Sequence, residues 1–382
     1  MTLNWKIFKR LADDLAQLRG LRPHPLIEVR GFGGEKGVSL FVKVEHDNCD
    51  LTDPLRSVKR KPATLMGAFA CDFNPHKSFW ITASSGNFAI ELGVLANEMG
   101  KKVFAVIPPR TPKQKIETLK SLGVDVVSIS KEEYNSQQGD LTVSVARMLS
   151  AKYSNVVNVD QYSSILNPFS HIIFTAREID EAIGGEVTHI FTPLGSTGTI
   201  TGIYEHFSKF YPKVRIIGVQ PAKVHRIPGV RNIIGEYLWR PEIFGLVDAS
   251  MVKVLTVDDI SAYKALMELE IEYNIHGGPS TGMVFAAVKR EVETGNIGEG
   301  SVILMISADS SWDYREWNME VLMDLKDGLG AGEMGRLNKY INMLKNREDS
   351  LLRVTRIKNI YKPKLEGKVY SLEEFKELLT KI

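Results

Sequence analysis

Short apolar runs alternate with segments of helical period along most of this chain. Val38–Glu45 (VSLFVKVE), Ser78–Ala83 (SFWITA) and Lys102–Pro109 (KVFAVIPP) read as strands, as do VDVVSIS from Val124, THIFTPLG from Thr188, RIIGVQPA from Arg215 and SVILMISA from Ser301. Between them lie helix-like stretches: NFAIELGVLANEMG from Asn87, which stops at Gly100, and KQKIETLKSLG from Lys113, which stops at Gly123. Strand, helix and strand repeated through short loops predict parallel sheets covered by helices on both faces. In such folds ligands bind at the carboxyl ends of strands. Two small-residue loops fall there, SSGN (Ser84–Asn87) and GSTGT (Gly195–Thr199). The pattern changes after about Leu329. A glycine-rich break, GLGAGEMG, precedes RLNKYINMLKN, whose Leu337, Tyr340, Ile341 and Leu344 share one helical face. SLEEFKELL then opens with a capping box, Ser371 with Glu374.

Composition narrows the classes. With 382 residues the chain is long for one core, so two packed lobes are expected. Hydrophobic residues at 43% and charged ones at 25% are ordinary for a globular protein, and a net charge of +2 gives no field that favours nucleic acid or a membrane. Cys49 and Cys71 form no CxxC pair, and the eight histidines show no HExxH or HxxxH spacing, so no metal site is expected. The first twenty residues read as an amphipathic helix and not a signal peptide, and no apolar run suits a bilayer span; the expected location is the cytoplasm.

Candidate chemistry begins at DPLRSVKRKPA (Asp53–Ala63). Alone, a Lys-Arg-Lys run is usually a solvated face. A lysine that bonds a carbonyl cofactor needs a site where its amine can be neutral and a phosphate anchor nearby. GSTGT could be that anchor: its glycines let the backbone approach an anion, the helix after it offers free N–H groups, and its three hydroxyls add donors. It matches neither GxGxxG nor GxxxxGK[ST], which disfavours a dinucleotide or a P-loop nucleotide. The competing reading is a plain strand-to-helix turn. SSGN can receive a carboxylate on backbone N–H groups or be a simple helix cap, and GPSTG (Gly278–Gly282) has the same two readings.

In their order the four elements resemble the cysteine synthase group of fold-type-II pyridoxal-phosphate enzymes, over about Arg22 to Tyr314. RPHPLIEV is similar to the family's PTPL segment, SVK to its SVK, SSGN to TSGN, GSTGT to GTGGT with Thr197 in place of a glycine, GPSTG to GxSxG, and DQY (Asp160–Tyr162) to NQF. The resemblance implies an α/β fold of two lobes, tryptophan synthase β-like. Residues 1–45 and 162–328 would form the larger, phosphate-binding lobe, 46–161 the smaller lobe, and 329–382 a helical extension. It implies pyridoxal phosphate bound through Lys59 as the Schiff-base lysine. The cofactor would be held by Asn87, by Gly195, Ser196, Thr197, Gly198 and Thr199 at its phosphate, and by Ser280 at the ring nitrogen. Ser84, Ser85, Asn87 and Gln161 would bind the substrate.

IPGVRNI (Ile227–Ile233) is similar to the segment of relatives that accept O-phosphoserine, which implies a phosphate-reading role for Arg231. The competing reading is a surface arginine. The implied activity is cysteine synthesis from O-phosphoserine, or O-acetylserine, and sulfide, in a homodimer with no nucleic-acid or membrane partner. A serine or threonine dehydratase, a cystathionine β-synthase and a non-catalytic metabolite-binding relative are the alternatives. Two departures stand out: Arg60-Lys61 where the family has Asp-Arg or Cys-Arg, and Asp53-Pro54 where it has Asn-Pro.

Overall fold

The computed structural model describes residues 23–46, 57–109, 111–135, 140–234, 241–248, 250–347, 350–363 and 365–380. The expected N-terminal amphipathic helix and Asp53-Pro54 lie outside the described residues. The strands are β1 (Leu26–Glu28), β2 (Ser39–Val44), β3 (Phe79–Ala83), β4 (Lys102–Ile107), β5 (Asp125–Ser128), β6 (Val156–Asn158), β7 (His189–Pro193), β8 (Arg215–Pro221), β9 (Val252–Val257), β10 (Val302–Ser307) and β11 (Val369–Ser371). The helices of eight or more residues are α1 (Arg60–Phe73), α2 (Asn87–Met99), α3 (Lys113–Ser121), α4 (Leu141–Lys152), α5 (Gly198–Phe210), α6 (Asp259–Tyr273), α7 (Pro279–Glu293), α8 (Arg315–Leu329), α9 (Met334–Lys345), α10 (Ser350–Tyr361) and α11 (Leu372–Leu379). A further helical run joins Leu166–Ser170, a π-helical stretch His171–Ala176 and Arg177–Ile183.

Two sheets result. The larger has the order β1-β2-β10-β7-β8-β9 and the smaller β11-β5-β4-β3-β6. All ladders are parallel except β1 with β2, which run antiparallel. The exception has a local cause: only a short glycine-rich loop joins these two strands, and a parallel pair needs a crossover of a dozen or more residues. Apolar strands such as KVFAVI are buried along nearly their whole length, as sheets covered on both faces require. In each sheet the strand order reverses once, between β3 and β6 and between β7 and β10. Crevices open at such reversal points, beyond the carboxyl ends of the strands.

The extension joins both lobes. α9 buries Leu337, Tyr340 and Leu344 in the core of the larger lobe. Arg347 follows it, buried, paired with Glu270 and donating to Ser311 Oγ at 2.8 Å. α10 packs against α3 and places Ile357 in a core of the smaller lobe. β11 then adds an edge strand beside β5, and α11 buries Leu372, Phe375 and Leu379, with the Phe375 ring 4.6 Å from Phe104. The capping box of Ser371 and Glu374 is present. No helix among the described residues is long and apolar enough to cross a membrane.

Candidate active site

The reversal points bring four loops together: SSGN after β3, Asp160–Tyr162 after β6, GSTGT after β7 and the segment after β10. Lys59 caps the start of α1 and reaches into this meeting place, where its Nζ donates to Ser196 Oγ at 2.9 Å. Burial pushes its ammonium down to about 8, the charge of Arg231 pushes the same way, and Asp309 opposes both. A fraction of the amine is therefore neutral near neutral pH, as carbonyl chemistry and proton abstraction both need.

The basic run of which Lys59 is part is not a solvated face. Its three side chains take three directions. Arg60 Nε pairs with Glu91 Oε2 at 2.6 Å, and Ser57 Oγ donates to the other oxygen of that carboxylate at 3.0 Å. Lys61 is buried beneath the site, 2.9 Å from Glu45 Oε2 and 3.0 Å from Glu178 Oε2, and it also donates to Thr175 Oγ1 at 3.2 Å. Lys43 joins the same cluster, 2.6 Å from Glu178, and His24 Nδ1 lies 3.0 Å from Glu45. Burial would push the Glu45 carboxyl up, but Lys61, His24 and Lys43 hold it well below the usual carboxylate range.

GSTGT forms a tight turn into α5. A side chain at Gly195 would meet the carbonyl oxygen of Gly229 at 2.6 Å, and one at Gly198 would meet Asn167 Oδ1 at 2.0 Å. Thr197 has the left-handed conformation, φ 66° and ψ 0°, at the position that caps α5. This is where the family places a glycine, and the backbone does what a glycine would do. Its hydroxyl donates to Ser196 O at 2.7 Å. Two supports come from the helical run before α5: Asn167 from its α-helical start and His171 from the π-helical stretch, an irregularity often found at functional sites. Asn167 Nδ2 donates to Ser196 Oγ at 3.1 Å and to Gln161 O at 2.6 Å, and His171 Nε2 lies 3.3 Å from Thr199 Oγ1. Burial first, then the charges of Lys59 and Lys61, push His171 down to about 3, so its imidazole is neutral.

Of the other residues proposed from sequence, Gln161 and Arg231 are tied to this turn. Ser84 Oγ accepts from Gly86 N at 3.4 Å and from Ala89 N at 3.3 Å, which makes it a cap of α2, while Ser85 and Asn87 are half-buried. Gln161 is buried and donates to Ala83 O at 3.1 Å, tying the β6 loop to the end of β3. Ser280 is buried in the first turn of α7, and its hydroxyl bonds no other described residue. Arg231 lies beside the GSTGT turn: its N–H donates to Leu194 O at 2.7 Å. Its side chain pairs with Asp140 and donates to Tyr162 OH at 2.8 Å.

One constellation was not singled out from sequence. Asn87 Nδ2 donates to Asp309 Oδ2 at 2.6 Å, and Asn87 Oδ1 accepts from Lys115 at 2.7 Å. Lys115 also pairs with Asp313 at 3.1 Å, and Tyr314 OH donates to Asp309 Oδ2 at 2.5 Å. Asp309 Oδ1 is buried without a partner, and burial pushes the Asp309 carboxyl up. Both ends of the Asn87 amide are thereby oriented. A signal for it did exist: SADSS is a small-residue loop after an apolar strand, like SSGN and GSTGT.

A buried lysine with a depressed amine, a glycine-lined turn at a helix start and an unbonded serine hydroxyl fit a phosphorylated pyridine aldehyde. The family described as pyridoxal-phosphate dependent enzymes matches residues 18–309, and the chain belongs to that family. Within it, the chain falls among the cysteine synthases. It is 32% identical to cysteine synthase B of Pseudomonas aeruginosa, over 70% of this chain and 85% of that one. It is 29% identical to cysteine synthase B of Escherichia coli, over 76% and 91%. A solved O-ureido-L-serine synthase superposes with a TM-score of 0.64 at 24% identity, over 76% of this chain and 90% of that one. The O-acetylserine dependent cystathionine beta-synthase of Helicobacter pylori gives 0.65 at 22%, over 77% and 94%. The fold expected from sequence is thus found, and the cofactor is pyridoxal phosphate.

Proposed function

We propose that the protein makes L-cysteine by β-replacement on O-phosphoserine with sulfide. The observation that carries this reading is the seat of Arg231. The carbonyl of Gly229 abuts Gly195, the N–H of Arg231 bonds Leu194, and the guanidinium acts electrostatically on Lys59. A planar, permanently charged fork is thus held next to the GSTGT turn and acts electrostatically on the reacting amine, a place from which a leaving phosphate could be read. The cysteine synthase B relatives support sulfur as the nucleophile.

Bound pyridoxal phosphate supplies an electron sink for the substrate's α-carbon. The chain's own residues do the rest. Ser85, Asn87 and the N–H groups of their loop bind the α-carboxylate, and Gln161 braces that loop. Lys59 Nζ removes the α-proton, being already at the reacting atoms and partly neutral. The Cβ–O bond breaks, phosphate leaves with its electron pair towards Arg231, sulfide forms the Cβ–S bond, and Lys59 returns the proton to the α-carbon. Ser280, a neutral partner for the ring nitrogen, does not hold it protonated as a carboxylate would, which favours β-elimination over transamination.

A second reading has its own observation. Arg231 is already paired with Asp140, so a neutral leaving group such as acetate would leave that pair undisturbed. Arg231→Ala separates the two readings. The ratio of kcat/KM on phosphoserine to that on acetylserine should fall by about 10- to 100-fold, the size of a lost charge-assisted bidentate bond. An unchanged ratio would remove the phosphoserine reading and leave cysteine synthesis from acetylserine.

A further inference from the structure

We infer that Asp140 is a specificity-determining residue that competes with phosphate for Arg231. The inference rests on the phosphoserine reading and adds to it a residue outside the resemblance motifs. Asp140, at the cap of α4, and Tyr162, buried in the core beside the smaller sheet, belong with that sheet, whereas Arg231 follows β8 of the larger one and bonds Leu194. Their contact therefore spans the cleft. The two carboxylate oxygens of Asp140 have separate tasks. Oδ1 accepts from Thr142 N at 2.9 Å, from Val143 N at 3.3 Å and from the Thr142 hydroxyl, and so holds the first turn of α4. Oδ2 faces Arg231 Nη1. The Asp140 side chain is 3% exposed, and that of Arg231 is 28% exposed. The carboxylate is thus fixed by the helix, and the guanidinium is partly exposed.

On Arg231, Nη1 meets Asp140, Nη2 donates to the Tyr162 hydroxyl, and Cζ lies 4.8 Å from the Tyr162 ring centre. A phosphate that reads the fork shares the guanidinium's single positive charge with Asp140, which stands on the same Nη1. It carries close to two negative charges against the single charge of a carboxylate, so it wins the exchange while attached to the substrate. After the Cβ–O bond breaks, phosphate is no longer tethered to the substrate, while Asp140 stays fixed at the cap of α4 and competes with it for the guanidinium, which speeds its release. A neutral leaving group never enters this exchange. Asp140 thereby limits both phosphoserine affinity and product retention.

The cap makes the test clean. Asparagine and serine both cap helices as well as aspartate does, so Asp140→Asn and Asp140→Ser remove the charge that faces Arg231 and keep α4 in place. The holoenzyme of each variant is titrated calorimetrically with inorganic phosphate, and KM is measured for phosphoserine and acetylserine. Phosphate should bind about 3- to 10-fold more tightly in both variants, the usual worth of one charge-assisted contact at a partly exposed site. KM for phosphoserine should fall by a similar factor relative to that for acetylserine, and both gains should vanish when Arg231→Ala is added. Unchanged or weaker phosphate binding in both variants, with melting temperatures like wild type, overturns the inference. If Arg231→Ala shifts the substrate ratio but Asp140→Asn does not, only the role of Asp140 fails. If Arg231→Ala shifts nothing, the phosphoserine reading fails first and takes this inference with it.

Discussion

Two charged clusters flank Lys59, and they are built on opposite rules. Beneath it lie Lys43, Glu45, Lys61 and Glu178 with His24, all buried or nearly so, and every charge meets an opposite one. These carboxylates and His24 stand close enough together to hold a cation, and the two lysine ammoniums take that place. On the cleft side lie Asn87, Lys115, Asp309 and Asp313, drawn from both lobes, where one oxygen of Asp309 is left without a partner. In the first cluster each carboxylate is ion-paired with a lysine ammonium. The second is incomplete within the protein alone, and an unsatisfied buried carboxylate is costly to keep. The difference teaches that charge and burial alone do not mark a site; what marks it is a buried carboxylate that shares its bonds with neutral groups instead of an ion pair of its own.

If the lower cluster serves stability, its largest test is Lys61→Met. The substitution keeps the bulk and leaves Glu45 and Glu178 short of a counter-charge. It should cost about 3–5 kcal/mol of unfolding free energy, as the loss of one partner of a buried ion pair does. Denaturant titration reads the loss, and the cofactor's visible absorption should persist at low denaturant. A loss below about 1 kcal/mol would break the contrast from the structural side.

The cleft cluster predicts a kinetic effect instead. Asp309→Ala frees the Asn87 amide to rotate and should lower kcat by about 10- to 100-fold with the cofactor still bound, the scale of a small misplacement at a reacting centre. Asp309→Asn should recover part of the loss, because its amide oxygen can still accept from Asn87. Full activity in the alanine variant would show that the orientation of Asn87 does not matter.

The smallest effect is the pH dependence of cofactor capture. Only the neutral Lys59 amine attacks an aldehyde, and its ammonium is held at about 8 against 10.5 for an ordinary lysine. The rate at which apoprotein takes up pyridoxal phosphate covalently should therefore rise about tenfold per pH unit below 8 and level off above it. A rise continuing towards 10.5 would place Lys59 in water and not in the dry site between the two clusters.

The outline of the site was legible in the sequence because its parts are local. SSGN, GSTGT and GPSTG are short loops at strand or helix ends, and Lys59 stands in a motif. Lys115 was hidden in KQKIETLK, which reads as a charged surface helix, and only the packing of α3 turns one of its lysines towards Asp313 and Asn87. Asn167 and His171 were hidden for a similar reason: they stand on one helical run, Asn167 in its α-helical start and His171 in its π-helical stretch, and only packing turns both towards the GSTGT turn. The extension read as helices alone, yet Val369–Ser371 pairs with β5 as an edge strand. Three residues carry too little pattern to announce a strand; the exposed edge of β5 makes one of them.

The sequence by itself determined the alternation of strand and helix, the parallel sheets, the loops at strand ends and the lysine proposed to bond the cofactor. These follow from side-chain period and from motifs within a few residues of each other, where the chain's own geometry is enough. Tertiary structure alone decided the separate fates of Lys59, Arg60 and Lys61, which differ by one position and by almost nothing in chemistry. One meets Ser196, one Glu91, and one Glu45 with Glu178, from 137, 31, 16 and 117 residues away along the chain. No local pattern encodes such a separation, because what a charged side chain becomes depends on the partner that folding brings within about 3 Å of it and on the water that folding takes away.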